Sequence, residues 1–123
     1  MGNEDLPPGF TVWDSTQARV EALRAAGLHA GIIASQCQVN IRSVERWARG
    51  TSSPGPEAVA RLDILRLAMG KLLLKTEPES AITWLSSRIN QPPYKSPLSM
   101  MKEDPEFVFG LIAGLPETQQ PPS

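Results

Sequence analysis

The sequence predicts an all-α fold, in which a helix-turn-helix unit is joined by a long helix to a small helical domain. Apolar residues recur at helical spacing along most of the chain. The periodic segments begin at residues that favour helix starts, such as Asp, Asn or a first-turn proline. No strand-like alternation of useful length and no internal repeat interrupts them. These three observations together indicate the fold class.

Composition excludes several classes of protein. The chain of 123 residues can hold one domain or two very small ones that share a core. With a single cysteine and a single histidine, we expect no disulfide, no metal and no cofactor. No apolar run suits a membrane span or a secretory leader, so we expect no membrane partner. The lone cysteine cannot form an internal disulfide, so we expect a protein of the reducing cytoplasm. The chain has no glycine-rich phosphate loop and no nucleophile with a second histidine-type base, so we expect no enzymatic activity.

The net charge changes sign along the chain. Residues 14–53 carry five basic and three acidic groups, and residues 54–76 carry four against two, so each segment is +2. Residues 77–123 carry three basic against six acidic groups, which gives −3. A basic first part and an acidic last part suggest two partners of opposite character. The positive charge is modest, so binding to a nucleic-acid duplex would need two copies of the module.

The first elements are an arm and a capped helix. Residues 1–12 contain prolines and glycines without a clear period, and we interpret them as a flexible arm. Asp14 or Ser15 caps a helix that runs to about Ala26, with Gly27 as its stop.

Two short helices follow, and with the first helix they form the predicted helix-turn-helix unit, residues 13–53. The earlier one covers roughly residues 29–37. The later one, residues 41–49, begins after the favourable N-cap residue Asn40 and ends at Gly50.

Helix 41–49 has an apolar face and an arginine face. At about 100° per residue, one side carries Ile41, Val44, Trp47 and Ala48, and the other carries Arg42, Arg46 and Arg49 with Glu45. Such a helix suits the major groove of DNA. For Asn40 and Ser43, helix capping and phosphate binding both remain open. The predicted DNA-binding residues are Asn40, Arg42, Ser43, Arg46 and Arg49.

The second unit, residues 54–115, begins with the longest predicted helix, from Pro56 to about Lys75. Its apolar residues cover more than one face, so we expect burial on two sides. The cover for the second side is either the C-terminal part of the chain or a second subunit. The remaining predicted elements are a helix over 79–87, an extended stretch over 90–97, a short helical turn over 97–102, a last helix capped by Asp104, and a flexible polar tail over 116–123.

The segment Leu28–Trp47 resembles the helix-turn-helix of Xre-type regulators. Ala34 occupies the small position of the earlier helix, and the Arg46-Trp47 pair matches a pair that recurs late in the family motif. Gln38 departs from the family pattern, because many relatives have glycine there. A non-glycine residue at positive φ costs about 1 kcal/mol, so we expect a wider turn.

The second unit resembles the toxin-binding domain of Xre/MbcA/ParS antitoxins, and the two resemblances together cover about residues 28–114. The run Pro92-Pro93-Tyr94-Lys95 replaces the usual glycines, as in the mycobacterial branch of the family. The motifs that carry the resemblance are Thr83-Trp84-Leu85-Ser86, Asn90 with Pro92, Ser96-Pro97-Leu98, and an acidic cap before Phe107–Ile112.

The resemblance implies an antitoxin of a type II toxin–antitoxin pair. Such proteins neutralise a RES-type, NAD-consuming toxin, repress their own operon by binding operator DNA, and assemble as homodimers or larger complexes with the toxin. The alternative is a stand-alone dimeric helix-turn-helix transcriptional regulator without a toxin partner. The candidates for the toxin interface are Trp84, Asn90, Tyr94, Lys95, Phe107 and Leu111.

Overall fold

The computed structural model describes residues 6–116, and this part of the chain consists of helices without strands. The predicted all-α fold class is thereby confirmed. No helix among these residues is both long enough and apolar enough to cross a membrane. The helices are α1 (Thr16–Ala25), α2 (Ala30–Cys37), α3 (Ile41–Arg49), α4 (Pro56–Leu73), α5 (Pro78–Ser86), α6 (Pro97–Glu103) and α7 (Pro105–Ala113).

The helix starts follow local capping chemistry. The side chains of Ser15, Asn40 and Asp104 each accept a hydrogen bond from the backbone N–H three residues later, at 3.1, 3.0 and 3.2 Å. Each of α4 to α7 has proline as its first residue, where the missing N–H has no helical partner to lose. Because these caps are local, the predicted helix starts agree with the structure to within one or two residues.

The first three helices end in the same way, with a residue in the left-handed region. The φ angle is +117° at Gly27, +60° at Gln38 and +76° at Gly50. In each case the next N–H returns to a carbonyl five residues earlier, as from Val39 to Ala34 at 3.0 Å. These sharp stops allow α3 to pack against both α1 and α2.

Helix α4 lies at the centre of the core. It packs against α1 and α2 of the first unit and against α5, α6 and α7 of the second. The second side of α4 is therefore covered by the chain's own C-terminal helices. The buried residues form one cluster that spans both units. The side chains of α4 that are at most 1% exposed include Leu62, Leu65, Met69 and Leu72.

Lys75, just beyond α4, forms hydrogen bonds with the C-terminal end of α7. Its Nζ donates hydrogen bonds to the carbonyl oxygens of Ile112, Ala113 and Leu115, at 2.8, 2.9 and 2.7 Å. The last carbonyls of a helix have no helical partner, and a cation is favourable beside them. Charge as well as apolar packing therefore ties α7 to α4.

Residues 6–12 are packed against α4, which corrects the predicted flexible arm over this range; residues 1–5 lie outside the described residues. Leu6 and Phe10 are 6% and 4% exposed. They lie over Gly70, where an added Cβ would come within 3.0 Å of the Phe10 Cβ and 3.3 Å of Leu6. The glycine leaves a notch in α4 that two apolar side chains fill, and nothing local in residues 6–12 reveals such a distant partner.

Two arginines hold the same segment by its backbone. Arg66, 3% exposed on α4, donates from Nη1 to the Phe10 carbonyl at 2.8 Å. Arg19 donates from Nη2 to the Val12 carbonyl at 3.1 Å. The Asp63 carboxylate accepts from Arg66 Nε at 3.0 Å and lies 3.7 Å from Arg19 Nη1. A buried guanidinium needs such partners, because burial without them is costly.

Asp14 closes the turn before α1, while Ser15 is the helix cap. The Asp14 Oδ2 accepts hydrogen bonds from the Gly9 N–H, the Thr11 N–H and the Thr11 hydroxyl, at 3.0, 3.0 and 2.7 Å. The hydrogen bonds from Thr11, first from its hydroxyl and then from its backbone, lower the pKa of Asp14 below its ordinary value. The carboxylate therefore fixes the path of the packed N-terminal segment.

The stretch 90–97 was predicted to be extended and is instead a turn, so that prediction is wrong. The Ile89 N–H donates to the Lys95 carbonyl at 3.0 Å, and the Tyr94 N–H donates to the Gln91 carbonyl at 2.7 Å. Tyr94 has a φ of +63°, and the Pro92–Pro93 peptide is cis. Prolines restrict φ but do not specify whether the chain runs straight or reverses.

The Asp14 network leads to a prediction about stability. Asp14→Ala removes the acceptor of three hydrogen bonds, and we expect the free energy of unfolding to fall by about 1–2 kcal/mol near neutral pH. The folded-state pKa is lowered, so the stabilisation is fully present above the ordinary pKa of 3.8 and is lost as the pH falls through the folded-state value. Urea unfolding of both proteins across this pH range measures the difference.

Glu21→Ala is the matched control, because Glu21 is an exposed carboxylate on α1. We expect its effect to stay within about 0.5 kcal/mol at every pH. A destabilisation by Asp14→Ala that does not shrink in acid would contradict the assigned role.

Candidate nucleic-acid interface

Helix α3 is held in place by its apolar face. Val44, Trp47 and Ala48 are buried, and α3 packs against α1 and α2. At the end of α3, a Cβ on Gly50 would come within 2.9 Å of the Gln17 Oε1 on α1. The Gln17 side chain is exposed and can move, so glycine is favoured at this position by its φ of +76°.

The opposite side of α3 carries three exposed arginines, Arg42, Arg46 and Arg49, which we call the α3 arginine face. Within residues 6–116, none of their guanidinium groups forms an ion pair or a hydrogen bond. They span eight residues of helix, and the rise from Arg42 to Arg49 is about 10 Å. Glu45 lies half-buried beside them. The face can therefore offer unpaired cationic donors to an anionic or acceptor-rich surface.

Asn40 and Ser43 pair with each other at the start of α3. The Asn40 Oδ1 accepts hydrogen bonds from the Ser43 N–H at 3.0 Å and from the Ser43 hydroxyl at 3.3 Å. Of the two roles left open by the sequence, capping is the one observed in this structure. Phosphate binding by these two residues stays a prediction.

Ile41 does not belong to the buried face of α3, so that part of the helical-wheel prediction is wrong. Its side chain is 47% exposed. It lies about 60° from the direction of Val44, at the rim of the apolar face. It is also the first residue of α3, so no preceding turn covers it.

The turn between α2 and α3 is tight, and the wider turn expected from Gln38 is wrong. Gln38 has φ 60° and ψ 46°, the left-handed conformation that glycine adopts most easily. Its side chain is exposed, so no burial offsets the backbone cost of about 1 kcal/mol. The hydrogen bond from the Val39 N–H to the Ala34 carbonyl, together with the packing of Val39 on the core, maintains the turn.

Helix α2 connects the α3 region to the second unit. The buried Gln36 side chain donates from Nε2 to the Leu98 carbonyl of α6 at 2.9 Å. Lys102 of α6 donates to the Ser35 hydroxyl at 3.0 Å. Sequence reasoning missed Gln36, although a polar residue one position before inward-facing Cys37 was the available signal. The two units are thereby joined by polar contacts as well as by the core.

Cys37 and His29 offer little chemistry to the site. Burial raises the pKa of the Cys37 thiol to about 11, so the thiol is neutral at ordinary pH. His29 stands at the N-cap of α2, and its side chain makes no capping hydrogen bond.

A groove crosses the surface of the second unit, and we call it the Trp84 trough. Its volume is about 370 Å³. Trp84 packs on the core and also lines the groove, and the neighbouring surface of α5 carries Glu79 and Thr83. The trough is lined by Leu72, Lys75, Thr76, Ser80, Trp84, Leu115 and Pro116.

The other five candidates for the toxin interface do not line this trough. Asn90, Tyr94 and Lys95 are exposed in the turn after α5, where Lys95 Nζ lies 3.3 Å from a carboxylate oxygen of α6. Phe107 and Leu111 are half-buried on α7. The structure therefore does not bring the six candidates together in one groove.

Trp13 is a large exposed side chain that sequence reasoning overlooked. It is 87% exposed and lies in the turn that Asp14 closes, where the backbone N–H of Trp13 donates to the Thr11 hydroxyl at 3.2 Å. A tryptophan among turn residues, outside any apolar period, was the signal that could have identified it.

Comparison with known proteins assigns no family. No protein-family model matches the chain, and neither a curated protein nor a solved structure matches it. The resemblance to Xre/MbcA/ParS antitoxins therefore stays a prediction from sequence motifs.

Proposed function

We propose that this chain is a DNA-binding antitoxin, which binds operator DNA through α2 and α3 as a helix-turn-helix and neutralises a RES-type, NAD-consuming toxin through its second unit. The observation that carries the proposal is the α3 arginine face. A short helix exposes three guanidinium groups on one side, none of them paired within residues 6–116, while its other side is buried in the core.

The chemistry of this face fits duplex DNA. A major groove admits an α-helix, and an arginine can donate two hydrogen bonds to O6 and N7 of guanine. In a helix-turn-helix, the N-terminal part of the second helix meets the base edges. Arg42 and Arg46 are therefore assigned to base contacts, and Arg49, at the end of α3, to a phosphate.

Charge supports binding by two copies. Residues 14–53 and 54–76 each carry +2, which is small for a protein that must hold a polyanion by itself. Two copies on half-sites about 34 Å apart would double the number of phosphate contacts. Autorepression of an operon would follow from occupancy of such an operator.

The second unit supports the partner half of the proposal. Residues 77–123 carry −3, and the Trp84 trough combines an aromatic wall with the nearby carboxylate of Glu79. This surface suits a protein that inserts an apolar side chain and surrounds it with basic groups. The identity of that protein as a RES-type enzyme rests on the sequence resemblance.

The DNA half is tested by removing the arginines. We expect Arg42→Ala and Arg46→Ala each to weaken binding by about 5-fold or more to a duplex that the wild-type chain selects from a random pool, because a bidentate contact contributes about 1–3 kcal/mol. Gel-shift titration at fixed salt measures the change.

Arg88→Ala serves as the matched control, since Arg88 is exposed in the second unit. We expect its affinity to stay within about twofold of the wild type. Equal affinity of the Arg42, Arg46 and Arg88 variants would remove the support for α3 as the DNA-binding helix.

The partner half is tested by filling the Trp84 trough. Ser80 is exposed in the trough, so Ser80→Arg adds bulk and positive charge without a loss of buried contacts. Each protein is co-expressed with a RES-type toxin that is encoded beside it. The wild-type chain should restore growth and Ser80→Arg should not, while the affinity of Ser80→Arg for duplex DNA should equal that of the wild type. Ser52→Arg, exposed between α3 and α4, is the control.

Neutralisation by Ser80→Arg as efficient as that of the wild type would rule out the trough as the toxin surface. A wild-type chain that binds duplex DNA and neutralises no such enzyme would instead be the stand-alone regulator.

A further inference from the structure

Ile41 is an aliphatic side chain that the structure exposes beside the α3 arginine face. It is 47% exposed, and it directly precedes Arg42 at the first turn of α3. An aliphatic side chain at the start of a helix gains nothing from capping, since it has no polar atom to offer. Its exposure leaves its methyl groups accessible to a surface that Arg42 contacts.

The side chain of Ile41 packs near Gly31 of α2. Its Cδ1 lies 3.7 Å from the place where a Cβ on Gly31 of α2 would stand, which is ordinary van der Waals distance. The branched side chain therefore lies along the first turn of α2 and does not extend freely into solvent. A β-branched residue in a helix also has one strongly preferred χ1 rotamer. The methyl groups of Ile41 are thus presented in a restricted direction, in the first turn of α3, where Arg42 also lies.

The major groove offers one apolar group to such a side chain. Base edges there carry hydrogen-bond donors and acceptors, and the exception is the C5 methyl group of thymine. An isoleucine cannot bond a phosphate or a polar base edge, but it can exclude water from a methyl group. Residues at the start of the second helix of a helix-turn-helix lie close to the base edges.

We propose that Ile41 recognises the C5 methyl group of a thymine, in a base pair next to the one that Arg42 contacts. This inference rests on the proposed DNA binding and extends it, because it names a base and the atom that is recognised. It assigns Ile41 a specificity role that the arginines cannot have, since a guanidinium does not distinguish thymine from its demethylated analogue.

The test uses the full chain and a duplex that the wild-type chain selects from a random pool. Each selected thymine is replaced in turn by deoxyuridine, which removes only the methyl group. We expect one thymine per half-site at which the wild-type chain loses about fourfold in affinity, the effect of one methyl group leaving a water-excluded contact. At that position Ile41→Ala should bind the two duplexes equally, and Ile41→Val should keep part of the difference.

Val59→Ala is the matched control, because Val59 is a comparably exposed aliphatic residue, 39% exposed on α4. It should keep the wild-type preference for thymine over deoxyuridine. Thermal unfolding checks that the Ile41 variants stay folded. If Ile41→Ala does not stay folded, Ile41→Val, which keeps a branched side chain, provides the comparison.

Two results would overturn the inference while the proposed DNA binding stands. One is a wild-type chain that is insensitive to every deoxyuridine replacement, and the other is an Ile41→Ala variant that keeps the full preference for thymine. Failure to enrich any duplex from the pool would overturn the proposed DNA binding itself, and this inference with it.

Discussion

The burial of α4 on both of its sides is the constraint on which the rest of the structure depends. Leu62, Leu65, Met69 and Leu72 are almost fully excluded from solvent. Their neighbours come from α1 and α2 on one hand and from α5, α6 and α7 on the other. Each of these groups of short helices is too small to bury its own apolar face. Without α4, neither the α3 arginine face nor the Trp84 trough would have a rigid support.

One functional consequence is that the two proposed binding surfaces belong to one body. The hydrogen bonds from Gln36 to Leu98 and from Lys102 to Ser35 reinforce the junction that α4 creates. A partner bound at the second unit would therefore be held at a defined position relative to any duplex bound at α3. Such an arrangement suits a protein that brings an enzyme and an operator into one assembly.

The sequence predicted the features that local chemistry determines. Helix starts depend on a cap or a proline within the same turn, so Asn40 and Asp104 could be assigned without tertiary information. The packing of residues 6–12 could not be predicted in this way, because Leu6 and Phe10 contact Gly70, about sixty residues away in the sequence. The burial of Ile41 was mispredicted because helical periodicity ignores the missing turn before a helix start. The turn at Gln38 was mispredicted because the surrounding hydrogen bonds impose a conformation that glutamine disfavours. The arginine face needed only periodicity, whereas the Trp84 trough is formed by α4, α5 and the chain after α7 together, and no local pattern reveals it.

The most direct test of whether both units depend on α4 is native-state hydrogen exchange on Leu65→Ala. Leu65 is 0% exposed at the middle of α4, so the truncation should lower stability by about 2–5 kcal/mol. If α4 unites the two units, the free energy of exchange should fall by the same amount for the slowest amides of α3 and for those of α5 and α7. A loss confined to one unit, with the other unchanged, would contradict the claim that both binding surfaces are carried by a single cooperative core.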